Sequence, residues 1–208
     1  MDLAIPLRSL VPTLDAEVLT VLAGTTTPLT GRRVAELSAR GSQPGVQKVL
    51  DRLVVHGLVT SRPAGAARLY VLNRDHLLAG PVLEAAATRQ RLVDRLREAV
   101  EAWRVPCRHA SLFGSVARGV AGVASDVDVL VVRPNDVPEE APLWREQLIA
   151  LEEGVARWTG NHLSWFETTP SGLARAAAAD ETLLEAWREE AIHLAGQPLH
   201  LLLRGAGR

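Results

Sequence analysis

The pattern of apolar and polar positions in the first 78 residues predicts three short helices followed by a hairpin. Apolar residues recur at helical spacing from Leu14 to Leu22, again around Val34 to Leu37, and again through residues 43–56. Ser42 is a typical N-cap for the third helix, and Gly57 is placed to end it. The β-like runs LVTSR and RLYVLN follow, and the PAGAA between them predicts a hairpin turn.

A single long amphipathic helix is predicted from Pro81 to Trp103. Pro81 stands near its first position, where proline is tolerated, and apolar residues recur along one face. We expect residues 79–105 to form a linker helix between an N-terminal domain (1–78) and a C-terminal domain (106–208).

From Cys107 onward the pattern changes to strands alternating with helices. HASLFGSV and DVDVLVV predict strands, APLWREQLIALEEGVARWTG a helix and NHLSWFE another strand, with residues 170–194 mainly helical. Cys107 and His109 lack a second pair of metal ligands nearby, so we expect them in a packed strand. Alternating strands and helices imply a sheet covered on at least one face. The chain as a whole is therefore expected to be an α+β protein whose C-terminal domain is mixed α/β.

Composition and charge indicate the general class of protein but not its activity. The chain has 208 residues, 47% of them hydrophobic, and a formal charge of -1, as expected of a globular protein. Residues 1–80 carry nine Lys and Arg against six Asp and Glu, whereas the remainder carries 14 against 18. The single cysteine excludes an intrachain disulfide, and no apolar run has membrane-spanning length. We therefore expect a cytoplasmic protein that does not contact a membrane.

The stretch FGSVARGVAGVASDVDVLVV, residues 113–132, holds the candidate chemistry. A Gly-Ser turn after a strand leaves N–H groups and a hydroxyl free for phosphate, and Arg118 adds a cation. Asp126 and Asp128 share one face of the following strand, since alternate residues of a strand point the same way. Two carboxylates beside a phosphate site predict a Mg²⁺ or Mn²⁺ site. The alternatives are that the aspartates are capping or loop acids and that Arg118 pairs with a surface acid.

The spacing Gly-Ser-x-Ala-Arg-Gly, a short loop and Ser-Asp-x-Asp resembles the signature of the DNA polymerase β-like nucleotidyltransferase superfamily, especially its minimal members. The resemblance implies that Gly114 and Ser115 hold nucleotide phosphates and that Asp126 and Asp128 bind the metal. It adds Ser125 and Arg118 to the nucleotide site. The implied reaction is attack by an acceptor hydroxyl on the α-phosphorus of a nucleoside triphosphate, with pyrophosphate leaving. Weaker similarity continues to EEAIHLAGQPL, which looks like that family's closing helix and turn, and a small helical partner protein is a further implication.

One element of that family pattern is altered. Active members place a third carboxylate on a neighbouring strand, and the alternation of NHLSWFE puts Ser164 at that position. Glu167 is three residues further on and nominally faces the other way, although a bulge could bring it round. We therefore take Asp126, Asp128 and Glu167 as the candidate catalytic carboxylates, and acceptor activation stays open.

The N-terminal pattern of three helices and a hairpin resembles the winged helix-turn-helix of MarR- and ArsR-type regulators. Within that pattern, polar side chains on the third helix could read base edges and wing arginines could contact the DNA backbone. A solvated helix face or a protein-interaction module are the alternatives, and specific duplex binding would require a homodimer. The candidate DNA-binding residues are Gln43, Gln47, Lys48, Arg52, Arg62 and Arg68.

Two functional hypotheses follow. The first is a metal-dependent nucleotidyltransferase that carries a DNA-binding winged helix domain. The second is a DNA-binding transcriptional regulator whose nucleotidyltransferase-like domain has lost catalysis and senses a nucleotide, and Ser164 is the residue that motivates it.

Overall fold

The computed structural model describes residues 1–179, Trp187 and residues 190–205, and it divides into two compact units. The first unit comprises Asp2 and Ala4–Thr88, and the second comprises Met1, Leu3 and the chain from Arg89 onward. Each unit has its own apolar core. The division falls after Thr88, inside the range 79–105 that the sequence suggested as a linker.

The first unit contains the predicted helices and hairpin. Ser42 begins the third helix, accepting a hydrogen bond on Oγ from the Gly45 N–H at 3.3 Å, and Gly57 follows its end with a φ of 76°. Three strands pair antiparallel in the order β1-β3-β2. The elements are α1 (Leu14–Ala23), β1 (Leu29–Thr30), α2 (Gly31–Leu37), α3 (Gln43–Val55), β2 (Val59–Ala64), β3 (Ala67–Leu72) and α4 (Ala79–Ala86).

The prediction of a single helix from Pro81 to Trp103 is wrong, because the structure has two helices there. The first is α4, and the second is α5 (Thr88–Glu101). Ala87 leaves helical geometry with a ψ of 4°, and the Thr88 hydroxyl donates to the Ala85 carbonyl at 2.8 Å. This local bond takes over a carbonyl at the end of the first helix. Val82 packs in the core of the first unit, whereas the apolar face of α5 packs in the core of the second.

The second unit is built on a four-stranded sheet in the order β6-β5-β4-β7. β5 pairs parallel with β6 and antiparallel with β4, and β7 pairs antiparallel with β4. The elements are β4 (His109–Phe113), α6 (Gly114–Ala117), β5 (Val127–Val132), α7 (Pro142–Thr159), β6 (Leu163–Thr168), α8 (Pro170–Ala179), β7 (Ile192–Gly196) and α9 (Leu199–Gly205).

Strand β7 is an element that the sequence did not predict. The described part of residues 170–194 is mainly helical, as expected, since α8, Trp187 and Glu190 are helical, but Ile192–Gly196 is a strand. It supplies hydrogen-bond partners to the otherwise open edge of β4, and it buries Leu194 and Ala195. A further helix, α9, follows the strand. Residues 180–186, 188 and 189 of the predicted helical segment lie outside the described residues.

Both faces of β5 are covered. Val127, Val129 and Val131 are fully buried against α5 and α7 on one face. Leu130 and Val132 are fully buried on the other face, in a smaller cluster with Trp187. We call this second face, which also carries Asp128, the acid face. In the part of the chain that the structure describes, no helix is long and apolar enough to span a bilayer.

A buried ion cluster stabilises the first unit. The Arg8 guanidinium donates to Glu17 Oε1 at 2.6 Å through Nε and to Asp2 Oδ2 at 2.9 Å through Nη1. Glu17 is 2% exposed and Asp2 6% exposed. Charges removed from water in this way are tolerated only when they are paired.

We expect Arg8→Met to destabilise the first unit by about 3 kcal/mol or more, because two buried carboxylates lose their cation. Urea unfolding followed by circular dichroism measures the change. The control is Arg32→Met, since Arg32 pairs with Glu36 at the surface and its side chain is 79% exposed; a loss below about 0.5 kcal/mol is expected there. Equal losses in the two variants would contradict this account.

Candidate functional site

The two aspartates stand where β5 begins, at one end of the acid face. Asp126 immediately precedes the strand, and its side chain is 54% exposed. Asp128 is half-buried and lies opposite Phe113 of the antiparallel neighbour β4. Residues at i and i+2 of an extended chain point to the same face, as the sequence indicated. The buried strand beyond them fixes the position of both carboxylates.

Gly114 brings the backbone of the turn after β4 against the Asp128 carboxylate. Its φ of 69° lies in the left-handed region that glycine adopts without strain. A Cβ built at this position would overlap Asp128 Oδ2. Only glycine therefore permits both the turn and this close approach.

Electrostatics at the pair oppose ionisation of Asp128. Burial raises the pKa of Asp128, and the nearby Asp126 charge raises it further, while Arg118 acts in the opposite direction. Like charges that share a partly buried site behave in this way. A cation placed at the pair would relieve both unfavourable contributions.

The remaining residues of the predicted nucleotide site surround the same turn. Ser115 is half-buried in the short helix α6. Arg118 follows that helix and forms an ion pair with Glu190 at 2.5 Å, so its cation is already partnered. Ser125 precedes the acid pair, and its hydroxyl accepts a hydrogen bond from the Gly122 N–H at 3.0 Å. Ser125 therefore holds the loop that leads to Asp126.

The structure does not bring Glu167 to the acid pair. Ser164 lies beside Asp128 in the parallel register of β5 and β6, and Glu167 lies beside Val131 on the opposite face. There the Glu167 carboxylate accepts hydrogen bonds from Arg133 Nε at 2.7 Å and Trp144 Nε1 at 2.9 Å. The bulge needed to bring it round is absent from this register. Glu167 therefore anchors α7 to the sheet.

Two residues at the site were missed in the sequence. Asn161, 4% exposed, places its side-chain amide within 3.3 Å of the Val123 and Ser125 carbonyls and so fixes the loop before Asp126. His162 Nδ1 lies 4.0 Å from Asp126 Oδ1, and its Nε2 lies 3.3 Å from Glu152. Their position immediately before β6, the parallel neighbour of β5, was the only available signal.

The donor set fits a divalent cation that a nucleotide helps to bind. Among the described residues, no cluster of three or more His, Cys, Asp or Glu side chains could hold a metal by itself. Mg²⁺, however, is usually bound by one or two carboxylates together with substrate phosphates. Asp126 and Asp128 provide the two carboxylates on one face.

The candidate DNA-binding residues lie on α3 and the hairpin, and several are already engaged. Gln47 Nε2 donates to Asp51 and to the Tyr70 hydroxyl, both at 2.8 Å. Arg52 pairs with Asp15. The other members of the set are exposed, namely Gln43, Lys48, Arg62 and Arg68. Arg68 lies 3.5 Å from the Ser61 hydroxyl.

Comparison with known proteins identifies the family. Residues 93–203 match the model of the nucleotidyltransferase domain, which is more than half of the chain. The chain belongs to the nucleotidyltransferase domain family. The matched segment contains the sheet, the Gly114 turn and the acid pair.

No curated protein matches this chain. One similar solved structure is described as "Crystal structure of the toxin-antitoxin with AMP-PNP". It is 16% identical, covers 55% of this chain and 82% of its own, and superposes with a TM-score of 0.38.

We expect Asp128→Asn to leave the protein at least as stable as wild type at pH 7. The folded-state pKa of Asp128 is raised, so ionisation opposes folding above that pKa, and the penalty disappears below the ordinary value of 3.8. The stability difference should therefore shrink as the pH falls towards that value. Thermal unfolding between pH 7 and pH 4 measures it.

Asp136→Asn is the matched control, because Asp136 is an exposed loop acid. We expect no comparable difference in that variant. A variant at Asp128 that is clearly less stable than wild type at pH 7 would contradict a pKa raised by burial and by the Asp126 charge.

Proposed function

We propose that the C-terminal unit transfers a nucleoside monophosphate from a nucleoside triphosphate to an acceptor hydroxyl, using Mg²⁺ or Mn²⁺. The observation that carries the proposal is the acid pair beside the Gly114 turn, in a chain of the nucleotidyltransferase family. Asp126 and Asp128 would hold the metal. The bound metal would polarise the phosphate and neutralise charge as the reaction proceeds.

The chain's own residues would bind and orient the nucleotide. Gly114 and Ser115 present backbone N–H groups and a hydroxyl at the turn, and these groups suit the β- and γ-phosphates. The acceptor oxygen would form a bond to the α-phosphorus as the bond to the β-phosphate oxygen breaks, releasing pyrophosphate. Asn161 would hold the loop before Asp126 during this exchange.

Ser164 is the residue on which the choice between this proposal and an inactive nucleotidyltransferase depends. It stands beside Asp128, where the resemblance implies a third carboxylate, and a serine hydroxyl does not accept the acceptor proton at neutral pH. The proton would then pass to water or to the acceptor's own groups. Such a site transfers slowly unless the acceptor hydroxyl is itself acidic.

Incubation with Mg²⁺ and each α-³²P-labelled nucleoside triphosphate, with and without cell extract, tests the proposal. Label should reach an acceptor with wild type and fall by at least 100-fold with Asp126→Asn/Asp128→Asn, since the metal ligands are lost. Glu167→Gln should retain transfer, because Glu167 lies on the opposite face of the sheet.

Ser164→Asp extends the same assay. A carboxylate beside Asp128 should increase transfer by about tenfold or more if proton removal limits the reaction. Full activity of the double Asn variant would overturn the proposal, whatever the other variants do. No label with wild type, together with nucleotide binding, would favour the regulator described next.

A second function is favoured by the exposed basic residues of the first unit. We propose that this unit is a winged helix whose α3 and hairpin bind duplex DNA, and that a nucleotide in the C-terminal unit modulates that binding. Gln43 and Lys48 project from α3 and Arg62 from β2 as exposed side chains. Gln47 and Arg52 contribute less, because their partners are already within the unit. A homodimer would be needed for specific duplex recognition.

Fluorescence anisotropy with a labelled duplex at several salt concentrations tests this function. Lys48→Ala/Arg62→Ala should weaken binding and reduce the salt slope by about one to two, because each lost cation contacts a phosphate. Arg157→Ala is the control, since Arg157 is an exposed cation of the other unit. An identical loss in the control would indicate charge attraction alone, and no binding by wild type would exclude the function.

A further inference from the structure

A cavity lies on the acid face, and neither Asp126 nor Asp128 is among its described lining residues. It has a volume of about 380 Å³ and is bounded by β4, β7 and the start of α9. Its described lining includes three imidazoles, an indole and apolar groups, as is typical of sites for small organic ligands. The lining residues used below are His109, Ser111, Trp187, Ala191 and His193.

Trp187 lines this cavity and has an unpartnered donor. The side chain is 2% exposed, and among the described residues nothing accepts a hydrogen bond from its Nε1–H. Its ring is held by Phe113 and Phe166, with centroids at 6.1 Å and 5.3 Å. A buried indole N–H normally has an acceptor. A ligand in the cavity would supply one.

Ser111 brings an acceptor to the same wall. His109 Nδ1 lies 2.8 Å from the Gln197 carbonyl, which can only accept, so Nδ1 carries the proton. Nε2, at 2.9 Å, must then accept the Ser111 hydroxyl proton. Burial lowers the pKa of His109 to about 4, which keeps the ring neutral and this arrangement fixed. The Ser111 oxygen keeps a lone pair for a ligand donor.

The cavity lies within reach of the acid pair. Ser111 and Phe113 are alternate residues of β4, and Phe113 is opposite Asp128. Alternate residues of a strand point to one face and are separated by about 7 Å. The cavity and the carboxylates are therefore neighbours on the acid face.

We infer that this cavity receives the base of the nucleotide whose phosphates bind at the Gly114 turn. The inference rests on the proposed nucleotide binding and deepens it. A flat nitrogen heterocycle fits between the aromatic walls, accepts from Trp187 Nε1–H and donates to Ser111 Oγ. The cavity would thus determine which nucleoside triphosphate the protein prefers.

Isothermal titration calorimetry with Mg²⁺ and four nucleoside triphosphates, beside inorganic tripolyphosphate, tests the inference. Wild type should bind at least one nucleoside triphosphate about tenfold more tightly than tripolyphosphate. Trp187→Phe removes the donor and keeps the ring, so the preferred nucleotide should bind roughly three- to tenfold more weakly, with tripolyphosphate unchanged. Trp158→Phe is the matched control, because Trp158 packs on the opposite face in the α7 core, and it should bind like wild type.

A second variant keeps the test decisive if Trp187→Phe does not fold. Ala191→Leu would fill part of the cavity and should weaken every nucleoside triphosphate without affecting tripolyphosphate. The inference is overturned if tripolyphosphate binds as tightly as the nucleotides in wild type, or if neither folded variant changes the preference. Absence of binding by all five probes would overturn the proposed phosphate site as well.

Discussion

The close approach of the Gly114 backbone to the Asp128 carboxylate is the contact on which the site depends. It requires a residue without a Cβ and with a positive φ at the end of β4. It also requires β5 to be rigid, and the burial of that strand on both faces meets this requirement. The fold thus holds a partly buried pair of like charges at a fixed point. The ionised pair lowers the free energy of unfolding, and such a loss of stability is common at functional sites.

The sequence predicted the parts of the structure that depend on neighbouring residues. The helices of the first unit, the hairpin and the strand with the acid pair all follow from local periodicity and from turn residues such as Ser42 and Gly57. The alternation of β6 also placed Ser164 beside Asp128 correctly. Glu167 did not turn toward the pair because Trp144 and Arg133 hold it on the other face.

The parts that were missed depend on residues far apart in the chain. Strand β7 forms because β4 offers it an edge, and the paired residues are 80 to 87 positions apart in sequence. The helix breaks after Ala86 because the apolar residues before the break pack in one core and those after it pack in the other. Asn161 reaches the loop before Asp126 across 36 residues, and no periodicity indicates such a contact. Tertiary pairing overrides local preference in each case.

The second unit is discontinuous in sequence, since Leu3 is fully buried in its core and the Leu3 N–H donates to the Ala121 carbonyl at 3.0 Å. Residues at the beginning of the chain thus support the loop that presents the carboxylates. During synthesis Leu3 can contact Ala121 only after more than a hundred further residues have been made. A cut between Thr88 and Arg89 would consequently separate Met1 and Leu3 from the rest of the second unit.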